Sequence, residues 1–166
     1  MLYWLTLLSD GGDFFNLFRY ITFRAGGAFL TALVFGFIFG KPLIEVLRKR
    51  QGKGQPIRDD GPEGHFAMAG TPTMGGLLIV GALLTSTLLW ARLDNPFVWL
   101  VLFVTMSFAA IGYADDHAKV SKQNTDGVPG KVRLLLGFLI AGIAGYWAAQ
   151  YHPTELQYQL ALPVFK

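Results

Sequence analysis

Four long stretches of this chain contain no Asp, Glu, Lys or Arg, and they constrain the fold more than anything else in it. Residues 25–40 are uncharged, and so are residues 75–91, 95–114 and 134–154. A helix rising about 1.5 Å per residue needs roughly 20 mostly apolar residues to cross a hydrocarbon core of about 30 Å. Four such runs in 166 residues leave too little polar chain to cover them in water. Composition agrees, with 52% hydrophobic and only 15% charged residues against about 25% charged in soluble domains. Disorder, collagen-like repeats and coiled coil are excluded by the same balance.

The expected fold is therefore all-α, a polytopic transmembrane helix bundle with four spans. The expected divisions are an interfacial N-terminal segment at 1–24, spans at 25–48, 73–91, 95–114 and 132–151, and a tail at 152–166 on the same side as the N-terminus. Loops at 49–72 and 115–131 join the spans on the opposite side. Residues 1–8 are apolar but lack a positive leader and run into Ser9-Asp10-Gly11-Gly12-Asp13, so they read as retained rather than as a cleaved signal. The glycines scattered through the spans suit close helix contacts in lipid.

Lys and Arg set the orientation. Residues 41–72 hold six (Lys41, Arg48, Lys49, Arg50, Lys53, Arg58) and residues 114–133 hold four (Lys119, Lys122, Lys131, Arg133). Against these ten stand Arg19, Arg24, Arg92 and Lys166. Both basic loops are expected in the cytoplasm and both termini outside. The net charge of +3 thus follows from topology, and no base-reading motif or aromatic-interleaved basic stripe accompanies it, so nucleic acid is not an expected partner. The absence of cysteine excludes disulfides and thiolate metal sites.

Two loop features carry potential chemistry. Gly70-Thr71-Pro72-Thr73-Met74-Gly75-Gly76 precedes the second span. Pro72 suits a first helical turn with Thr71 as cap, and the glycines would let backbone approach a ligand closely; a solvated linker is the plainer reading. The second feature is Asp115-Asp116-His117-Ala118-Lys119 at the end of the third span. A carboxylate at mid-membrane costs about 2.5 to 3.5 kcal/mol, so the pair belongs at the interface. On a helix Lys119 lies at i+4 from Asp115 and i+3 from Asp116. Such a cluster is either a boundary salt bridge with Lys119 and Lys122 or a seat for a divalent metal and a diphosphate. Lys131, at the start of the fourth span, is either a topological anchor or a third phosphate partner.

Taken together, Arg58-Asp59-Asp60-Gly61-Pro62-Glu63-Gly64-His65, the segment from Gly70 to Gly76, and Asp115-Asp116 with Lys119 resemble the phospho-N-acetylmuramoyl-pentapeptide-transferases. The first two patterns set that family apart from other polyprenyl-phosphate sugar-1-phosphate transferases, which share the acidic pair. The resemblance covers essentially the whole chain. It implies transfer of phospho-MurNAc-pentapeptide from UDP to undecaprenyl phosphate with release of UMP, in the bacterial inner membrane, and with Mg2+. It implies catalytic roles for Asp115 and Asp116, either as a covalent nucleophile or as a base toward the lipid phosphate, and a metal-bound diphosphate beside them. Lys119 and Lys131 match phosphate-partner lysines, Thr73 matches a residue of the nucleotide-substrate site, and His65 lies in the family's loop pattern.

Two departures bear on activity. Met68 stands where the family has a lysine three residues after the loop histidine, and a thioether cannot balance an anion. The family's chains are also much longer, so this chain alone is expected to be inactive. Another polyprenyl-phosphate N-acetylhexosamine-1-phosphate transferase and a non-enzymatic membrane subunit are the alternative readings. The latter calls for a charge inside the bundle at mid-depth, and no span interior has one. Oligomeric state is left open, a homodimer being one arrangement the sequence permits.

Overall fold

The computed structural model describes residues 1–51, 73–122 and 127–151. Within them every regular element is helical. Two short 3-10 helices, Leu2–Leu8 and Phe14–Arg19, precede four α-helices: α1 (Ile21–Gln51), α2 (Gly76–Trp90), α3 (Pro96–Lys122) and α4 (Gly130–Tyr151). His65, Met68, the segment from Arg58 to His65 and the tail at 152–166 lie outside the described residues.

The helices begin where local chemistry allows. Asn95 precedes α3, and its side-chain oxygen accepts the Phe97 N–H at 2.9 Å, while Pro96 fills the first helical position, where a missing N–H costs nothing. In α4 the Pro129 carbonyl takes the N–H groups of Val132 and Arg133 at 3.0 and 3.1 Å. Pro42 lies inside α1, which nevertheless continues to Gln51. Backbone groups satisfied within the helix are what a lipid environment demands.

α1, α3 and α4 are long and apolar enough to cross a bilayer. α2 is shorter, because Thr73, Met74 and Gly75 are spent on an irregular approach, with Met74 at φ 70°. Its 15 residues rise about 22 Å, against about 30 Å of hydrocarbon. α3 departs most from expectation: it runs through the acidic pair to Lys122 instead of stopping at residue 114. Its charged end is therefore two further helical turns, not a loop.

α1 packs along α2, α2 along α3, and α3 along α4, with the 3-10 helices against α1 and α2. Large apolar side chains point outward, Phe37 at 79% exposure and Phe138 at 71%, while no side chain among the described residues is fully buried. Such an inside-out distribution suits lipid as the outer solvent. Close contact is made at glycine. A Cβ on Gly27 would enter the Trp90 indole, and the same indole donates its N–H to Thr31 Oγ1 at 2.9 Å, while that hydroxyl donates to the Gly27 carbonyl at 2.8 Å. Phe18 stacks on Trp90 at 5.9 Å, closing this end of the α1–α2 pair.

Candidate phosphate-transfer site

At the opposite end of the bundle Asp115 is buried, with 7% of its surface exposed. Its carboxylate gathers partners from three places. Lys119, one turn along α3, approaches Oδ2 with Nζ at 2.8 Å. Arg133 in α4 donates to Oδ1 at 2.6 Å, and the Val128 N–H donates to the same oxygen at 2.8 Å. Gly127 makes this possible: its φ is +59°, and a Cβ there would collide with the Asp115 carboxylate and the Lys119 stem. A charged donor at each oxygen makes these bonds stronger than neutral ones. Asp115 is thus the fastener between α3 and the start of α4.

Asp116 differs. It is half-buried, forms no ion pair among the described residues, and lines a cleft of about 240 Å3 between α2 and α3. Met74, Gly76 and Leu77 form the α2 side of that cleft, and Gly112 and both aspartates the α3 side. His117 is exposed and lies 5.8 Å from the Tyr113 ring.

Thr73 arrives at this end through a residue that sequence reasoning passed over. The buried Gln51 side chain accepts the Thr73 N–H at 2.8 Å and donates to the Thr73 carbonyl at 3.1 Å. That two-point clasp ties the end of α1 to the approach of α2. The Thr73 hydroxyl oxygen is buried and without a partner among the described residues.

Of the expected site residues, the structure unites Asp115, Asp116 and Lys119, and brings Met74, next to Thr73, to the same cleft. Lys131 is exposed in the first turn of α4; Arg133, counted in the sequence only toward orientation, makes the ion pair instead. Nothing in composition flagged Gln51 or Arg133, whose importance arises from contacts with distant positions.

No group of three or more His, Asp or Glu side chains positioned to hold a metal occurs among the described residues. Asp115 has both oxygens engaged, so Asp116 is the carboxylate whose surroundings fit a cation that takes its remaining ligands from phosphate and water.

Known proteins give this arrangement a context. Phospho-N-acetylmuramoyl-pentapeptide-transferase signature 1 matches residues 69–80. The whole chain aligns with the phospho-N-acetylmuramoyl-pentapeptide-transferase of a Ruegeria species at 83% identity over 166 residues. By sequence, the chain is similar to that transferase family along its whole length. The family's proteins from Ruegeria pomeroyi and Dinoroseobacter shibae are 80% and 70% identical to it, again over the full chain. The chain spans 46% of the length of each of these relatives. The transferase signature coincides with the Gln51-clasped approach and the first turns of α2, including the cleft residues Met74, Gly76 and Leu77. Its three long apolar helices, together with this likeness, support a multi-pass membrane protein.

Proposed function

We propose that this chain supplies the phosphate-handling face of an enzyme that transfers phospho-MurNAc-pentapeptide from UDP to undecaprenyl phosphate. In that reaction an oxygen of the lipid phosphate bonds to the sugar-bearing phosphorus of the nucleotide, the bond to the other phosphorus breaks, and UMP leaves. The observation that carries the reading is the division between the two aspartates. Both aspartates border the cleft beside the family signature, but Asp115 is clamped by Lys119, Arg133 and the Val128 amide, whereas Asp116 has no ion pair among the described residues.

Asp115 fixes the cations. Lys119 and Arg133, brought to one carboxylate, set a positive flank beside the cleft, and Lys131 lies within the same turn of α4 as Arg133. Positive groups fixed in advance lower the cost of charge spreading over the phosphoryl oxygens in transfer. In this reading Asp116 accepts a proton from the incoming lipid phosphate. The Thr73 hydroxyl, buried and without a partner among the described residues, could serve a nucleotide donor that reached it. Mg2+, held through Asp116, would neutralise the diphosphate.

The reading places the acidic pair at the cytoplasmic surface of the bacterial inner membrane, with the 3-10 helices outside. The basic end of α1, with Arg48, Lys49 and Arg50, lies at the same end of the bundle as the pair, as the positive-inside rule requires.

The test is UMP release by the protein purified in full, with undecaprenyl phosphate, Mg2+ and either UDP-MurNAc-pentapeptide or UDP-GlcNAc. Turnover is expected with the first donor and to fall at least tenfold with Asp116→Asn. Turnover with UDP-GlcNAc alone would assign the protein to a sister transferase. Unchanged rates in Asp116→Asn would remove the site.

A further inference from the structure

The end of the bundle away from the acidic pair holds cations that phosphate transfer does not use. Arg24 in the first turns of α1 and Arg92 just after α2 converge on one ring, their guanidinium carbons 5.0 and 4.7 Å from the centroid of Tyr3. Asp94 pairs with Arg92 at 2.6 Å, and that hydrogen bond holds the Asp94 carboxyl below the usual carboxylate range. Two guanidiniums against one carboxylate leave a single positive charge.

Arg24 is also undersupplied with acceptors. Its Nε is buried and has no partner among the described residues, and Nη1 reaches the Trp90 carbonyl only at 3.4 Å. A guanidinium carries five N–H donors in a planar fork. A snorkelling arginine would put those donors in water, but the Nε of Arg24 is shut away from it.

Both side chains border a groove of about 380 Å3 between α1, α2 and α3. Arg24, Arg92 and Asn95 line it together with the apolar Ala25, Ala28 and Val98, which form a mostly apolar trough that Ser86 and Thr87 also border. The small alanines leave room along α1. Cations beside a mostly apolar trough at the rim of a membrane bundle complement an amphiphile with an anionic head, and phosphate oxygens suit a planar guanidinium. We propose that this groove binds a phospholipid of the surrounding bilayer, its phosphate between Arg24 and Arg92 and an acyl chain along Ala25, Ala28 and Val98. The inference is independent of the transferase reading, because the site is at the far end of the helices from Asp115 and Asp116.

The test uses the protein purified in full in a neutral detergent, read by native mass spectrometry and thermal unfolding. Dioleoyl phosphatidylglycerol is expected to stay bound and raise Tm by several degrees. Dioleoyl phosphatidylcholine should bind at least tenfold more weakly, and inorganic phosphate, lacking a chain for the trough, should give no shift. Arg24→Gln with Arg92→Gln should weaken phosphatidylglycerol binding tenfold or more. Ala28→Phe, which fills the trough and leaves the charges alone, should do the same, whereas Arg19→Gln, an exposed cation nearby, should not. Retention of phosphatidylglycerol at wild-type strength in both the double variant and Ala28→Phe would overturn the proposal, as would an equal loss in Arg19→Gln or an equal shift with inorganic phosphate.

Discussion

Two adjacent aspartates face different surroundings, and their substitutions should therefore fail in different ways. Asp115→Asn removes the anion that Lys119, Arg133 and the Val128 amide share. Breaking a buried ion pair by removing one partner costs about 3 to 5 kcal/mol, and the half-exposed Arg133 guanidinium puts the expectation at the low end, about 3 kcal/mol. The measurable outcome is a clear fall in Tm together with loss of UMP release. Asp116→Asn, with no ion pair to lose among the described residues, should hold Tm within about 1 °C while turnover falls roughly a hundredfold, within the range for loss of a proton acceptor. Equal destabilisation by the two substitutions would show that the clamp is not specific to Asp115. Gly127→Ala tests the same clamp from the backbone. Its φ of +59° and the collision of a Cβ with the carboxylate predict a loss of about 1 to 3 kcal/mol, seen as a lowered Tm.

Among the elements, α3 shows where sequence reading succeeds and where it stops. The uncharged run from 95 to 114 located the helix, because an apolar stretch of that length has one stable state in lipid. Ending the span at the first aspartate treated the loss of hydropathy as the loss of helix. The i to i+4 ion pair between Asp115 and Lys119 instead supports two further turns beyond the apolar core. Asp115, Asp116 and Lys119 were legible because their relation is local. Gln51 and Arg133 were not, since each acts across 18 or more positions of chain and carries no periodic mark. The α1–α2 contact was legible only as a supply of glycines; which glycine matters depends on where the Trp90 indole lies. Gly27→Leu should drive a side chain into that indole and destabilise the pair by about 1 to 3 kcal/mol. Gly26→Leu, with open space at its Cβ, should be neutral or nearly so in the same detergent unfolding experiment.

For the molecule as a whole, one asymmetry decides between the readings. Helix ends alternate, so the C-termini of α1 and α3 and the N-termini of α2 and α4 meet at the acidic pair, while Tyr3, Arg24, Trp90 and Arg92 gather at the other end. In the proposed orientation, the six cations between residues 41 and 72 and the four between 114 and 133 would lie on the cytoplasmic side. Nucleotide-bound substrates are confined to that compartment, so the transferase reading survives only with this orientation. The chain contains no cysteine, which makes the experiment clean. A single cysteine at Lys122, at the end of α3, should resist a membrane-impermeant maleimide in intact spheroplasts and react in inverted vesicles. A cysteine at Asp94, in the turn between α2 and α3, should show the reverse. Labelling of the Lys122 position from outside would put Asp115 and Asp116 beyond the reach of any UDP-linked donor and end the case for phosphate transfer, while leaving the helix packing as described.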